Sequence, residues 1–134
     1  MTHPVLSRKM PRIAAALAPA FALALAVPAG AHHSAAMFDF RKPVTVRGTV
    51  RMIKVVNPHT HMLLTITDAK GTRDWDFEGH SASNFYRAGF TRDAVKTGDK
   101  ISITYAPMTD GSDGGYIVAF TTAQGTKVGF APPP

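Results

Sequence analysis

From Val44 onward the apolar residues of this 134-residue chain recur two apart, and one helical stretch breaks the pattern. Side chains on a strand alternate between its two faces, so such a pattern marks half-buried strands. Val44, Val46 and Val50 begin it, Met62, Leu64 and Ile66 continue it, and Trp75 and Phe77 follow. After the break, Ile101, Ile103 and Tyr105 resume it, and Tyr116–Thr122 ends it. Five half-apolar strands must bury their inner faces against one another, as a barrel or a sandwich.

The punctuation sharpens this. Gly48 lies inside the first run, and the phase slips at Met52-Ile53, after which Val55 and Val56 carry the apolar character. A long strand with a glycine and a slip predicts a bend or bulge. Asn57-Pro58 ends that strand, and Asp68-Ala69-Lys70-Gly71 is a hairpin turn between the second and third. Ser81–Gly89 reads as a short helix with a serine cap and a glycine stop, and Thr91–Lys96 as a further turn. Three strands, a helix and two strands predict a mainly β fold: a five-stranded OB-like Greek-key barrel over residues 44–130. An open β-sandwich with a helical insert is the alternative. Trp75, Phe77, Leu64, Ile66, Ile101 and Ile103 are the expected core, with Met52 and Met62 filling it.

The beginning of the chain is of another kind. Arg8, Lys9 and Arg12 precede an alanine-rich apolar run from Ile13 to Val27, and Ala29-Gly30-Ala31 follows. That order predicts a secretory signal peptide over residues 1–31, cut after Ala31, with Ala29 as an alternative cut. The apolar run is shorter than the ~20 residues a membrane span needs, so no membrane anchor is expected after cleavage. The expected location is the periplasm or the exterior. Residues 32–134 carry 12 basic and nine acidic side chains, a net +3, and that balance predicts no nucleic-acid partner. The chain has no cysteine. Thiolate metal sites and cysteine catalysis are therefore excluded. Residues 32–43 form an N-terminal arm whose Phe38 and Phe40 are expected to anchor it on the domain.

Cleavage after Ala31 makes His32 the first residue, with His33 next. An N-terminal histidine offers an amine and an imidazole to one metal, and a second imidazole completes a T-shaped nitrogen set, a histidine brace. Tetragonal nitrogen donors favour Cu(II). The amine has an ordinary pKa of about 7.7–8.0, so a metal can displace its proton near neutral pH. His59-Thr60-His61 is the natural second source, since residues i and i+2 of an extended segment point the same way. The expected ligands are His32, His59 and His61, with His33 as a substitute, and copper or another divalent ion as the cofactor. A solvated terminus, and turn hydrogen bonding by Asn-Pro-His, are the plainer alternatives.

Asp74, Asp76 and Glu78 make an acidic row on the outer face of the third strand. It reads as a solvated face, with a weak site for a hard cation as the other reading. Asp110-Gly111-Ser112-Asp113-Gly114 reads as a hairpin loop, not a calcium loop, and no serine has a hydrolase context. Three functions are thus open. The first is a small exported binding protein holding copper. The second is a metal-free OB-like ligand or protein interaction module. The third is a copper-dependent redox enzyme, ranked last because a 103-residue domain leaves little chain for a substrate cleft.

The segments AHHSAAMFDF at 31–40, VRGTV at 46–50, NPHTH at 57–61, WDFE at 75–78, YRAGFTRD at 86–93 and KTGDK at 96–100 together resemble one family. It is a family of small exported bacterial proteins catalogued as a domain of unknown function, number 6152. The resemblance covers essentially the whole chain after the signal segment. It implies that His32, His33, Asn57, Pro58 and His59 lie in signature segments, and it implies no activity. Ser81-Ala82 and Gly89-Phe90 stand where the family reads Ser-Pro and Gly-Trp, and His80 departs from its pattern.

Overall fold

The computed structural model describes residues 35–131. The expected signal segment, its cleavage site, His32 and His33 lie outside the described residues.

Six strands form: β1 (Val44–Lys54), β2 (Thr60–Asp68), β3 (Gly71–Gly79), β4 (Lys100–Pro107), β5 (Gly115–Thr121) and β6 (Lys127–Gly129). One helix, α1 (Ala82–Arg87), lies between β3 and β4. The strands run in the order β3-β2-β1-β4-β5-β6, and a parallel β3–β5 pairing closes the first five into a barrel. The five-stranded barrel with its helix between strands three and four is therefore present, and the open sandwich is not. β6 is an addition beyond the closed ring, and three residues are too few for alternation to reveal.

The core follows the period of two. Leu64, Phe77 and Ile103 are fully buried, Ile66 and Ile101 nearly so, and Trp75 retains 8% exposure. α1 begins at Ser81, whose Oγ accepts from the Asn84 backbone N–H, and stops at Gly89 with φ +92°. Its buried Phe85 seals one end of the barrel against Phe90, Phe120 and Phe130, with ring centroids 4.5–6.0 Å away. Thr91–Lys96 forms turns without a helix, and Val95 enters the core from it.

The slip in β1 falls earlier than its sequence places it. Val50 opposes Leu64 and Met52 opposes Leu63, so Arg51 is the bulged residue. This overturns one core assignment. Met52 shares the outer face with Leu63, while Ile53 opposite buried Met62 packs against the core. Gly48 sits where β1 crosses tightly over β2. A Cβ there would overlap the Ile66 side chain and crowd the Thr65 carbonyl.

Candidate functional site

The β2–β3 register builds the site. His61 opposes Glu78, Leu63 opposes Asp76 and Thr65 opposes Asp74, all with inward-facing neighbours on either side. The outer face therefore carries β2 hydroxyl and imidazole groups beside the β3 carboxylates. His59 comes from the β1–β2 turn, which is tied down where the Thr60 N–H donates to the His80 carbonyl and the Ala82 N–H to that of Val56.

Each carboxylate of the acidic row faces one neighbour from the β2 side. Thr65 Oγ1 donates to Asp74 at 2.6 Å, and Arg51 Nε stands 3.9 Å from the same carboxylate. His61 Nδ1 lies 3.4 Å from both Asp76 oxygens. His59 Nδ1 lies 2.8 Å from Glu78 Oε1, with the oxygen off the ring's N–H direction, so this is a close contact without an aligned hydrogen bond. Both histidines are partly exposed, and neither Nε2 has a partner among the described residues. The row is outward as expected, but it engages the neighbouring histidines and is not simply a solvated face. Among the described residues no three His, Asp or Glu converge as a metal-holding group.

The other flank of this face is built by the arm and the β4–β5 loop. Phe38 bridges to Met108, the Asp39 N–H donates to the Pro107 carbonyl, and the Thr109 N–H donates to that of Met37, both at 2.8 Å. Phe38 and Phe40 lie 5.4 and 5.5 Å from the Tyr116 ring. The two phenylalanines anchor the arm as their sequence positions suggest. The arm's described end, Ala35, is three residues from His32, a reach of about 10 Å of extended chain.

Tyr116 is the member that sequence reasoning missed. It opposes Glu78 in the parallel closure and lies under Phe38 and Phe40. Burial first, and then the Glu78 charge, push its hydroxyl up to about 12. His80 takes no part in the carboxylate row. Its Nε2 bonds the Ala131 carbonyl at 2.9 Å and its ring packs on Tyr116 and Phe130. The Asp110–Gly114 segment is a loop, held to β3 by the Asp113–Arg73 ion pair, and Gly114 there has φ +94°. A Cβ on Gly114 would overlap the Asp76 carbonyl, which explains the glycine beside the site.

In OB barrels the outer face of strands two and three, flanked by the first and fourth connecting loops, is the usual binding face. His59, His61, Asp76 and Glu78 occupy that position. No helix among the described residues is long and apolar enough to cross a membrane.

Comparison with known proteins gives little beyond a family. No curated protein matches the chain. A solved structure, that of the ZRD-deleted mutant of TiaS in complex with agmatine, is similar with a TM-score of 0.44 and 11% identity. The match covers 68% of this chain and 24% of that one, so the chain spans about a quarter of that structure's length. A sequence model described as a family of unknown function, DUF6152, matches residues 20–117, most of the chain, and the protein belongs to that family.

Proposed function

We propose that the protein is a small exported, periplasmic or secreted binding protein that holds a divalent metal, copper foremost, on the β2–β3 face. The observation that carries this reading is the carboxylate behind each imidazole. Histidines that ligate metals present one ring nitrogen to the metal, while the other meets a carboxylate, which fixes the tautomer and raises basicity. Asp76 lies behind His61 on the Nδ1 side as such a partner does, and Glu78 lies close to His59 Nδ1 without an aligned hydrogen bond, so Nε2 of each ring is the nitrogen proposed to meet the ion. Two imidazoles do not complete a site. The amine and ring of His32, with His33 as a substitute, are the proposed remaining ligands, and the anchoring of the arm on Tyr116, which opposes Glu78, supports this. All donors are then nitrogen, which suits Cu(II).

Native mass spectrometry of the exported protein tests the reading, since it reports both the mature terminus and any bound metal. The expected result is a chain beginning at His32 that takes one Cu(II). A glycine added ahead of His32, or His59→Ala together with His61→Ala, should weaken Cu(II) binding by at least about 10-fold. Asp76→Asn and Glu78→Gln should each weaken it about 10–100-fold, as for other outer-shell carboxylates. Protons compete for the same nitrogens, so affinity should fall as pH drops below about 8. Undiminished binding by the glycine-extended protein would falsify the brace. A protein that takes no copper at all is instead the metal-free interaction module, using the same loop-flanked face.

A further inference from the structure

We infer that the outer surface of the barrel carries a second binding site, one that takes the phosphate group of a phosphate ester. It lies where β1 pairs with β4, and β2 separates it from the β3 carboxylates. A groove of about 480 Å³ runs there, and no carboxylate lines it. Its floor is set by strand register. Arg47 opposes Ser102, and Thr49 opposes Lys100. The two cations are thus diagonal neighbours on adjacent antiparallel strands, about 7–8 Å apart at the backbone and within side-chain reach of one point. The two hydroxyls occupy the other diagonal of the same square.

The surrounding charges leave this square uncompensated. Arg51 stands beside Asp74, and Arg73 is held between Asp68 and Asp113. Among the described residues no carboxylate is within ion-pair distance of Arg47 or Lys100, and the hydroxyls of Thr49 and Ser102 bond no other side chain. Two cations and two free hydroxyl donors converge on one small area. That donor set suits an anion with several oxygens and more than one charge, which is a phosphate and not a carboxylate. Arg47 supplies a planar fork for two of its oxygens and Lys100 a point charge for a third. The groove is larger than a phosphate alone needs. Thr65, Thr67 and Thr121 share the remainder with Ile101, Ala123 and Gly125, so the body of the ester meets hydroxyl-bearing and apolar groups together. A free phosphate ester and a lipid headgroup share this chemistry.

Titration of the full exported protein with glycerol 3-phosphate, followed by amide NMR shifts, tests the inference. The expected shifts concentrate at residues 47–49, 100–102 and 121–125, and neutral glycerol does not reproduce them. Arg47→Gln and Lys100→Gln should each weaken binding about 3–5-fold, and together by at least about 10-fold. Lys42→Gln and Arg92→Gln, cations outside the groove, should leave it unchanged. Sedimentation with phosphatidylcholine vesicles, with and without phosphatidic acid, whose headgroup is a phosphate monoester, identifies the source. Sedimentation that requires phosphatidic acid, Arg47 and Lys100 assigns a headgroup. Shifts without sedimentation assign a soluble ester. The inference is overturned if no shift appears at about 10 mM ester, if the control variants weaken binding equally, or if the double variant binds like the original. All these substitutions are at exposed positions, and Trp75 emission checks that each variant is folded.

Discussion

Tyr116 shows how one residue joins the core to the face proposed to bind metal. Its ring is nearly buried on the outside of the barrel, between the arm and His80, and its backbone opposes Glu78. Burial favours the neutral phenol, and so does the neighbouring carboxylate. The folded protein therefore keeps this proton up to about pH 12, whereas an unfolded chain releases it near pH 10. Above pH 10 unfolding releases a proton, so stability is intact below that pH and falls as pH rises toward 12. The loss over that window should be about 2 kcal/mol at most. Urea midpoints at pH 9 and pH 11.5 check it. Tyr116→Phe should flatten most of the fall, and the remainder belongs to Tyr105, whose hydroxyl burial also raises. An equally steep fall in the variant would show that Tyr116 is not its source. The sequence does not disclose this role. Strict alternation would put Tyr116, Val118 and Phe120 on one face. Val118 is instead an extra residue, since Thr104 opposes Ala119 while Tyr105 opposes Ile117. The slip sends Ile117 and Phe120 into the core, and Tyr116 and Val118 under the arm. His59 and His61 were legible because spacing alone places them beside β3. The carboxylates behind them were legible only as a row, because pairing partners depend on register.

At the scale of elements, the arm is a 3-10 turn over Ala35–Met37 tied just beyond the end of β4 by a single bridge, Phe38 to Met108. It closes no part of the barrel, yet it covers Ala106 and Tyr116, which would otherwise be an apolar patch. Phe38 is its main anchor, with 7% exposure and ring contacts to Phe40 and Tyr116. Phe38→Ala should cost about 2–4 kcal/mol, toward the lower side for a buried phenylalanine because the cavity opens to solvent. Chemical denaturation measures the loss. Limited proteolysis should then cut near Met37 while the barrel stays intact. The same variant bears on the proposed metal site, because that proposal needs an arm anchored on Tyr116. If Phe38→Ala leaves both stability and proteolysis unchanged, the arm does not dock as described. The elements themselves were readable wherever the period of two was strong, as in β2, β3 and β4. The bulge at Arg51 was readable as an event but not as a position. A slip in apolar phase has the same signature whether the extra residue is Arg51 or its neighbours.

At the scale of the whole barrel, the outward-facing charges of β3 differ in sign from those where β1 pairs with β4. Asp74, Asp76 and Glu78 lie on β3, and Arg47 and Lys100 lie on β1 and β4. Register sets one line across the outer surface, from Asp74 through Thr65 and Thr49 to Lys100. Three strand spacings separate its ends, about 14 Å. A single phosphate at Lys100 is beyond a Debye length from Asp74 at physiological salt, so repulsion there is weak. A nucleic-acid duplex is different, because it presents one charge per about 1.7 Å along its axis and cannot meet the cations without also approaching the carboxylates. The net +3 of residues 32–134 does not offset that. Duplex DNA at about 150 mM salt should therefore not bind, and weak association at low salt should vanish as salt rises. Fluorescence anisotropy of a labelled duplex checks this. Asp74→Asn with Asp76→Asn should increase the low-salt association, since it removes two opposing charges without adding any contact. Tight binding by the unmodified protein at 150 mM salt would mean that the acidic strand does not face the approaching backbone, and the charge-sorted surface would then need another explanation.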